Sequence, residues 1–171
     1  MHNNWYQSSS YFLSSFALIT SVSEDGVTSI GPYQLSFPFG VIERREWIVI
    51  SRRGSNTSKN LLRNKKCALN FVEYGKKHIP NIVDLGYPGQ APEEKMEDCT
   101  FELEDTPTES FVSDPERPKV IKEAFQVFEC ELNDNPEDFH YAGTESTEYL
   151  LLKINHVHLR ERWRNHLDKG D

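Results

Sequence analysis

The segment Ser51-Arg52-Arg53-Gly54-Ser55-Asn56-Thr57-Ser58-Lys59-Asn60 is where residue types and spacing first suggest chemistry. An apolar run ends at Ser51. Ser, Asn and Thr then open a stretch with Leu61 and Leu62 on one side and Lys/Arg at its end, so a strand passes into a helix. The first amides of a helix lack intrahelical partners, and the helix dipole favours an anion beside them. Arg52 and Arg53 add charge and forked donors, and Gly54 lets the backbone come close. Such a turn can hold phosphate. The same residue types also make an ordinary N-cap, which is the commoner reason for finding them at a helix start. These residues alone leave both readings open.

Other constellations are weaker. His156 and His158 lie two apart on a strand-like run and share a face. With His140 they could bind a metal, but no spacing fixes that third ligand, so a wet strand face is preferred and no metal is expected. Glu129 and Glu131 also share a face and could do acid–base work. Flanked by Phe128, Cys130 and Leu132, they read as the solvent side of an amphipathic strand. Cys67, Cys99 and Cys130 are odd in number and widely spaced, so buried, inert thiols are expected rather than disulfides or zinc ligands. Trp5, Tyr6, Tyr11, Phe12 and Phe16 suit core or interface packing as well as ligand stacking.

The elements that must position these residues follow from patterning. Phe16–Val22 is an apolar strand, and Asp25-Gly26 closes a hairpin onto a partner spanning Val27–Leu35. Ser36–Gly40 reads as a loop, because Pro38 lacks a donor and Gly40 permits unusual backbone angles. Glu46–Ser51 is a strand, Thr57–Lys66 a short helix, and Cys67–Val72 a strand. Residues 73–118 carry most of the prolines and many acids. They read as an excursion of loops around short helices near Ile79–Leu85 and Pro92–Cys99, of a kind that often carries function. Strands return at Glu123–Leu132 and Thr147–Leu159, and a charged tail follows from Arg160. The whole chain, 1–171, reads as one domain. It is mainly β, with about six antiparallel strands closing a small barrel and a few short helices.

Bulk composition removes some functions. A net charge of −8 over 171 residues argues against nucleic-acid and anionic-membrane partners, which are gripped by basic stripes. The apolar run Phe16–Ile19 is too short to span a bilayer. Met1–Tyr11 lacks the basic start of a secretory leader, so the cytoplasm is the expected compartment.

The order of the short motifs resembles the flavin reductase-like, FMN-binding split-barrel family. The matching residues are Ile19-Thr20-Ser21, Gln34-Leu35-Ser36-Phe37, Ser51-Arg52, Ser55-Asn56-Thr57 with Asn60-Leu61-Leu62, and Leu69-Asn70-Phe71. Phe128-Glu129-Cys130-Glu131-Leu132 resembles the family's Glu-Cys strand and Lys153–Leu159 its closing strand. The resemblance implies a six-stranded antiparallel split barrel and a homodimer with FMN, or alternatively FAD, near the subunit interface. Tyr33, Gln34, Leu35, Ser36 and Phe37 would line the isoalloxazine. Ser51, Arg52, Arg53, Ser55, Asn56 and Thr57 would form the phosphate turn, with Arg52 rather than Arg53 as the basic ligand. Two motifs depart from the family. Glu43–Trp47 replaces an Asp-Pro-Pro element, and Phe139–Thr144 stands where reductases carry Gly-Asp-His. The second departure bears on NAD(P)H as electron donor more than on flavin. The expected function is therefore an FMN-dependent oxidoreductase of the NAD(P)H:flavin reductase kind, with no catalytic side chain singled out. The rivals are a non-catalytic flavin or small-ligand binding protein and a cofactor-free interaction domain.

Overall fold

The computed structural model describes residues 16–40, 44–73, 75–133, 135 and 143–169. Its frame is a seven-stranded antiparallel sheet in the order β2-β1-β5-β8-β9-β4-β3. The strands are β1 (Ala17–Val22), β2 (Thr28–Tyr33), β3 (Ser36–Phe39), β4 (Glu46–Arg52), β5 (Lys66–Val72), β8 (Ala124–Leu132) and β9 (Thr147–Leu159). Helix α1 (Asn56–Asn64) links β4 to β5. Between β5 and β8 come a 3-10 turn at Lys76–His78, α2 (Ile79–Gly86), α3 (Pro92–Glu97), α4 (Glu109–Val112) and a two-stranded pair, β6 (Leu103–Glu104) with β7 (Val120–Ile121). Helix α5 (Glu161–Lys169) ends the described chain.

The hairpin at Asp25-Gly26 pairs Val22 with Thr28 and Ala17 with Tyr33. The two outer strands, β2 and β3, are joined by Gln34-Leu35. The Ile50 N–H donates to the Leu35 carbonyl at 2.9 Å, which brings the β2–β3 junction against β4. The sheet therefore curls toward closure as a split barrel.

The count of seven corrects the expected six. Ser36–Phe39 is a strand, paired with β4 from Ser36↔Val49 to Phe39↔Glu46. Pro38 is tolerated because β3 has a partner on one side only, so its missing N–H breaks no second ladder. Residues 73–118 hold helices where they were expected, at Ile79–Gly86 and Pro92–Glu97.

Two apolar layers flank the sheet. Inside the curl lie Ala17, Ile19, Val49, Leu61, Leu69, Cys130, Leu150 and Leu152, all fully buried. Trp47, Phe71 and Phe128 meet there edge to face at 5.1–5.7 Å between centroids, the arrangement aromatic quadrupoles favour. Outside, Leu18, Ile30, Ala68 and Val127 are covered by Leu85, Phe101, Val120 and Ile121 of the excursion. Strand β1 is buried on both faces, which is why it reads as a continuous apolar run rather than an alternating one.

The excursion corrects one expectation. Glu129 is 2% exposed rather than on a solvent face. Its carboxylate accepts from the Thr108 hydroxyl and lies 2.8 Å from His158 Nε2. The chain leading into α4 has been laid over that face of β8 and β9. Glu131 is engaged by Arg117. His156 is exposed and meets the Phe111 ring, while His140 lies outside the described residues. Cys67 and Cys130 face each other across β5 and β8 as buried free thiols. Burial pushes the Cys130 thiol up, and the half-buried Cys99 as well, so both resist becoming thiolates.

Candidate functional site

Helix α1 is fixed to the barrel before anything binds near it. Leu61 is buried in the inner core. Asn60 Nδ2 donates to Ser21 Oγ at 3.0 Å, and Arg63 donates to the Val22 and Ser23 carbonyls at 2.7 and 3.0 Å. At the other end Ser55 is the N-cap, its hydroxyl accepting from the Ser58 N–H at 3.1 Å. That leaves the Asn56 and Thr57 N–H groups without intrahelical acceptors. The first turn contains no acidic residue to offset the dipole.

This helix start opens into a cleft of about 170 Å³. One wall is β2, from Ser29 to Tyr33. The floor is Arg52, Ser55, Asn56 and Thr57. The far wall is the end of α2 and the loop after it, Leu85 to Gly89, together with Lys95 of α3. Gly31 is what brings β2 close to α1: a Cβ there would collide with the Thr57 hydroxyl and lie 3.0 Å from the Tyr33 ring. Tyr33, Ser51 and Ser55 form a triangle of hydroxyls, with Tyr33 Oη 2.8 Å from Ser51 Oγ and Ser51 Oγ 2.9 Å from Ser55 Oγ. The triangle ties the N-cap to β2 and β4.

The cleft is cationic in an acidic protein. Arg52 lines its floor and Lys95 its far wall. Burial, and after it the Arg52 charge, hold the Lys95 ammonium below the ordinary lysine range. Two like charges sharing a partly dry cleft favour an anion between them. The donor set of guanidinium, ammonium, amide N–H groups and hydroxyls matches phosphate oxygens and offers no carboxylate ligand for a metal. The phosphate group of a flavin nucleotide would fit that chemistry. Among the described residues no cluster of three or more His, Cys, Asp or Glu side chains could hold a metal.

The expected site residues divide three ways. Tyr33, Arg52, Ser55, Asn56 and Thr57 line the cleft, with Ser51 directly beneath it. Gln34 lines an adjoining apolar groove with Phe16, Pro32, Ile82, Val83 and Tyr87. Arg53 instead pairs with Glu148 at 2.9 Å. Leu35 and Phe37 are exposed, and Ser36 is buried beside β4. The far wall was not foreseen. Its signal was present in the sequence: Lys95 is the one Lys or Arg between Lys77 and Arg117, set among acids and just after Gly86-Tyr87-Pro88-Gly89.

No protein-family model matches the chain, and no curated protein matches it. Solved structures do. The 2-nitrobenzoate 2-nitroreductase of Pseudomonas fluorescens superimposes over 95% of this chain and 74% of its own, with 18% identity and a TM-score of 0.73. Nitrilotriacetate monooxygenase component B from Bacillus cereus covers 94% of this chain and 76% of its own, with 18% identity and a TM-score of 0.72. A Shewanella frigidimarina protein described as a putative flavin reductase with a split barrel domain covers 86% of this chain and 68% of its own, at 15% identity and a TM-score of 0.67. The chain has the split-barrel fold of these structures. In this split barrel the cleft lies outside the curled sheet, where β2, α1 and the excursion meet. Identities this low carry the architecture and leave ligand and reaction to the residues. Among the described residues, no helix is long and apolar enough to cross a membrane.

Proposed function

We propose that this split barrel is a flavoprotein that holds FMN by its phosphate at the β4–α1 turn and serves as a flavin-dependent oxidoreductase. The observation that carries the reading is the convergence of Arg52, Lys95 and the uncapped amides of Asn56 and Thr57 on one cleft. The fold supports it, since its structural neighbours include proteins described as a nitroreductase and a flavin reductase. When bound, the flavin would supply the hydride or electron chemistry. The chain's own residues do the rest. Arg52, Lys95, Asn56 and Thr57 bind the phosphate. Tyr33, fixed by Ser51 and Ser55, orients what lies above it. Pro32 and Tyr87 form the apolar passage from the phosphate end toward Gln34. FAD would place its pyrophosphate on the same donors. NAD(P)H is the donor this reading names, and a homodimer is its expected assembly.

The phosphate assignment is tested by removing Arg52 and Thr57 together, as Arg52→Ala with Thr57→Val. FMN affinity should fall roughly 100-fold, the scale of two charge-assisted contacts, while riboflavin affinity changes little. Equal losses for both would remove the phosphate from this turn. A non-catalytic flavin-binding protein is the second reading, favoured by Phe139–Thr144 standing in place of Gly-Asp-His. Anaerobic mixing with FMN and NADH or NADPH separates the two: bleaching of the flavin band supports the reductase, and an unbleached band leaves only the binding role.

A further inference from the structure

Two candidate phosphate ligands are also the residues that hold the far wall of the cleft in place. Lys95 Nζ donates to the Leu85 carbonyl at 2.8 Å. Asn56 Nδ2 donates to the Gln90 carbonyl at 3.0 Å. These two carbonyls bracket Gly86-Tyr87-Pro88-Gly89, the loop between α2 and α3. Gly89 has φ +95, a left-handed conformation that side chains disfavour. At the other end a Cβ on Gly86 would sit 3.3 Å from the Pro32 ring, so the loop rests closely on β2. Tyr87, at its tip, is 60% exposed and borders both the cationic cleft and the apolar groove.

We infer that Asn56 and Lys95 make the 86–90 loop a clasp that a phosphorylated ligand fastens. This rests on the flavin reading for the identity of the ligand. An ammonium has three N–H donors and an amide two. Each side chain can therefore keep its loop carbonyl and still donate to a phosphate oxygen lying between Arg52 and α1. The loop contacts aim the donors into the cleft, and the anion in turn fixes the donors, and with them the loop. Relief of the repulsion between Lys95 and Arg52 works in the same direction. The clasp makes Asn56 and Lys95 positioning residues for Tyr87: a ligand with a phosphate brings the Tyr87 ring to a set place over the passage, and a ligand without one leaves it free. By linkage, the free energy that the loop gives the anion equals what the anion gives the loop.

Hydrogen exchange of the full-length protein, read at residues 86–91, tests this with FMN, riboflavin and inorganic phosphate, each at saturation. FMN should slow exchange there roughly tenfold, phosphate should slow it in part, and riboflavin should not. In Asn56→Ala, which keeps the backbone N–H and loses the contact to the Gln90 carbonyl, FMN should bind more weakly, and at saturation the slowing should shrink. Lys95→Met, read in parallel, guards against an effect of Asn56 on the helix start alone. The clasp is overturned by equal protection by FMN and riboflavin, by bound FMN with no protection, or by full protection retained in both variants. Failure of the flavin reading looks different. Neither flavin would raise the melting temperature, while phosphate would still slow exchange at 86–91. If phosphate and both flavins leave the loop unchanged, the clasp falls as well.

Discussion

Lys95 lines the cleft together with Arg52. Its folded pKa lies below the ordinary 10.5, from burial first and Arg52 second. The fold therefore binds this proton less tightly than the unfolded chain does, and its stability gains from Lys95 as pH rises through the folded value. A phosphate beside the ammonium reverses the sign, because the charged form becomes the favoured one. The ratio of FMN to riboflavin affinity should thus fall as pH climbs through the alkaline range below 10.5. Riboflavin serves as the reference because it shares the ring ionisation. Lys95→Met should lower FMN affinity about 10–100-fold and flatten the ratio. A wild-type ratio that does not move with pH would place the phosphate away from Lys95. Arg53 makes the contrast at the same scale: next to Arg52 in sequence, it faces Glu148 on β9 instead.

At the scale of elements, the excursion is held to the barrel by buried polar contacts. Asn70, fully buried on β5, donates to the Leu18 carbonyl at 3.0 Å and accepts the Ile121 N–H of β7 at 2.9 Å. Its place in Leu69-Asn70-Phe71 was visible in the sequence, but its partner 51 positions away was not. Asn70→Ala leaves a buried N–H and a buried carbonyl short of partners, which costs about 1–3 kcal/mol. In a domain of this size the melting temperature should drop by roughly 2–12 °C. A melting temperature within a degree of wild type would mean that β7 is held by its apolar contacts alone. Glu129 carries the same lesson. Alternation in Phe128–Leu132 identified a strand and its two faces, and only the folded excursion settled which face is covered.

Across the whole molecule, exposed apolar surface gathers on the side of α2 next to the cleft. Phe16, Ile79, Val83 and Tyr87 are all at least 40% exposed and border adjoining grooves. Contiguous patches of this kind mark interfaces in folded proteins. The homodimer expected from the flavin reading should therefore sediment at twice the 19.9 kDa of the chain. Val83→Glu should return it toward the single-chain mass. A wild-type protein that sediments as one chain at micromolar concentration would contradict the dimer and leave the cleft complete within one copy.

The turn from Ser51 to Asn60 was legible from the sequence alone, and so were α1, the hairpin at Asp25-Gly26 and the strands with apolar runs. Each of these is set by contacts between near neighbours: a cap, a turn, a period of two or 3.6. The tertiary structure decided three things that local contacts do not reach. It made Pro38 part of an edge strand, because only the finished sheet order shows that β3 has one partner. It buried Glu129 under the chain leading into α4. It also brought Lys95 to the same cleft as Arg52, which adds a second cation and a far wall to a capped helix start. The physical reason is the same in each case. These contacts join residues far apart in the chain, so they exist only after the excursion has folded back and offset the entropy of closing that loop.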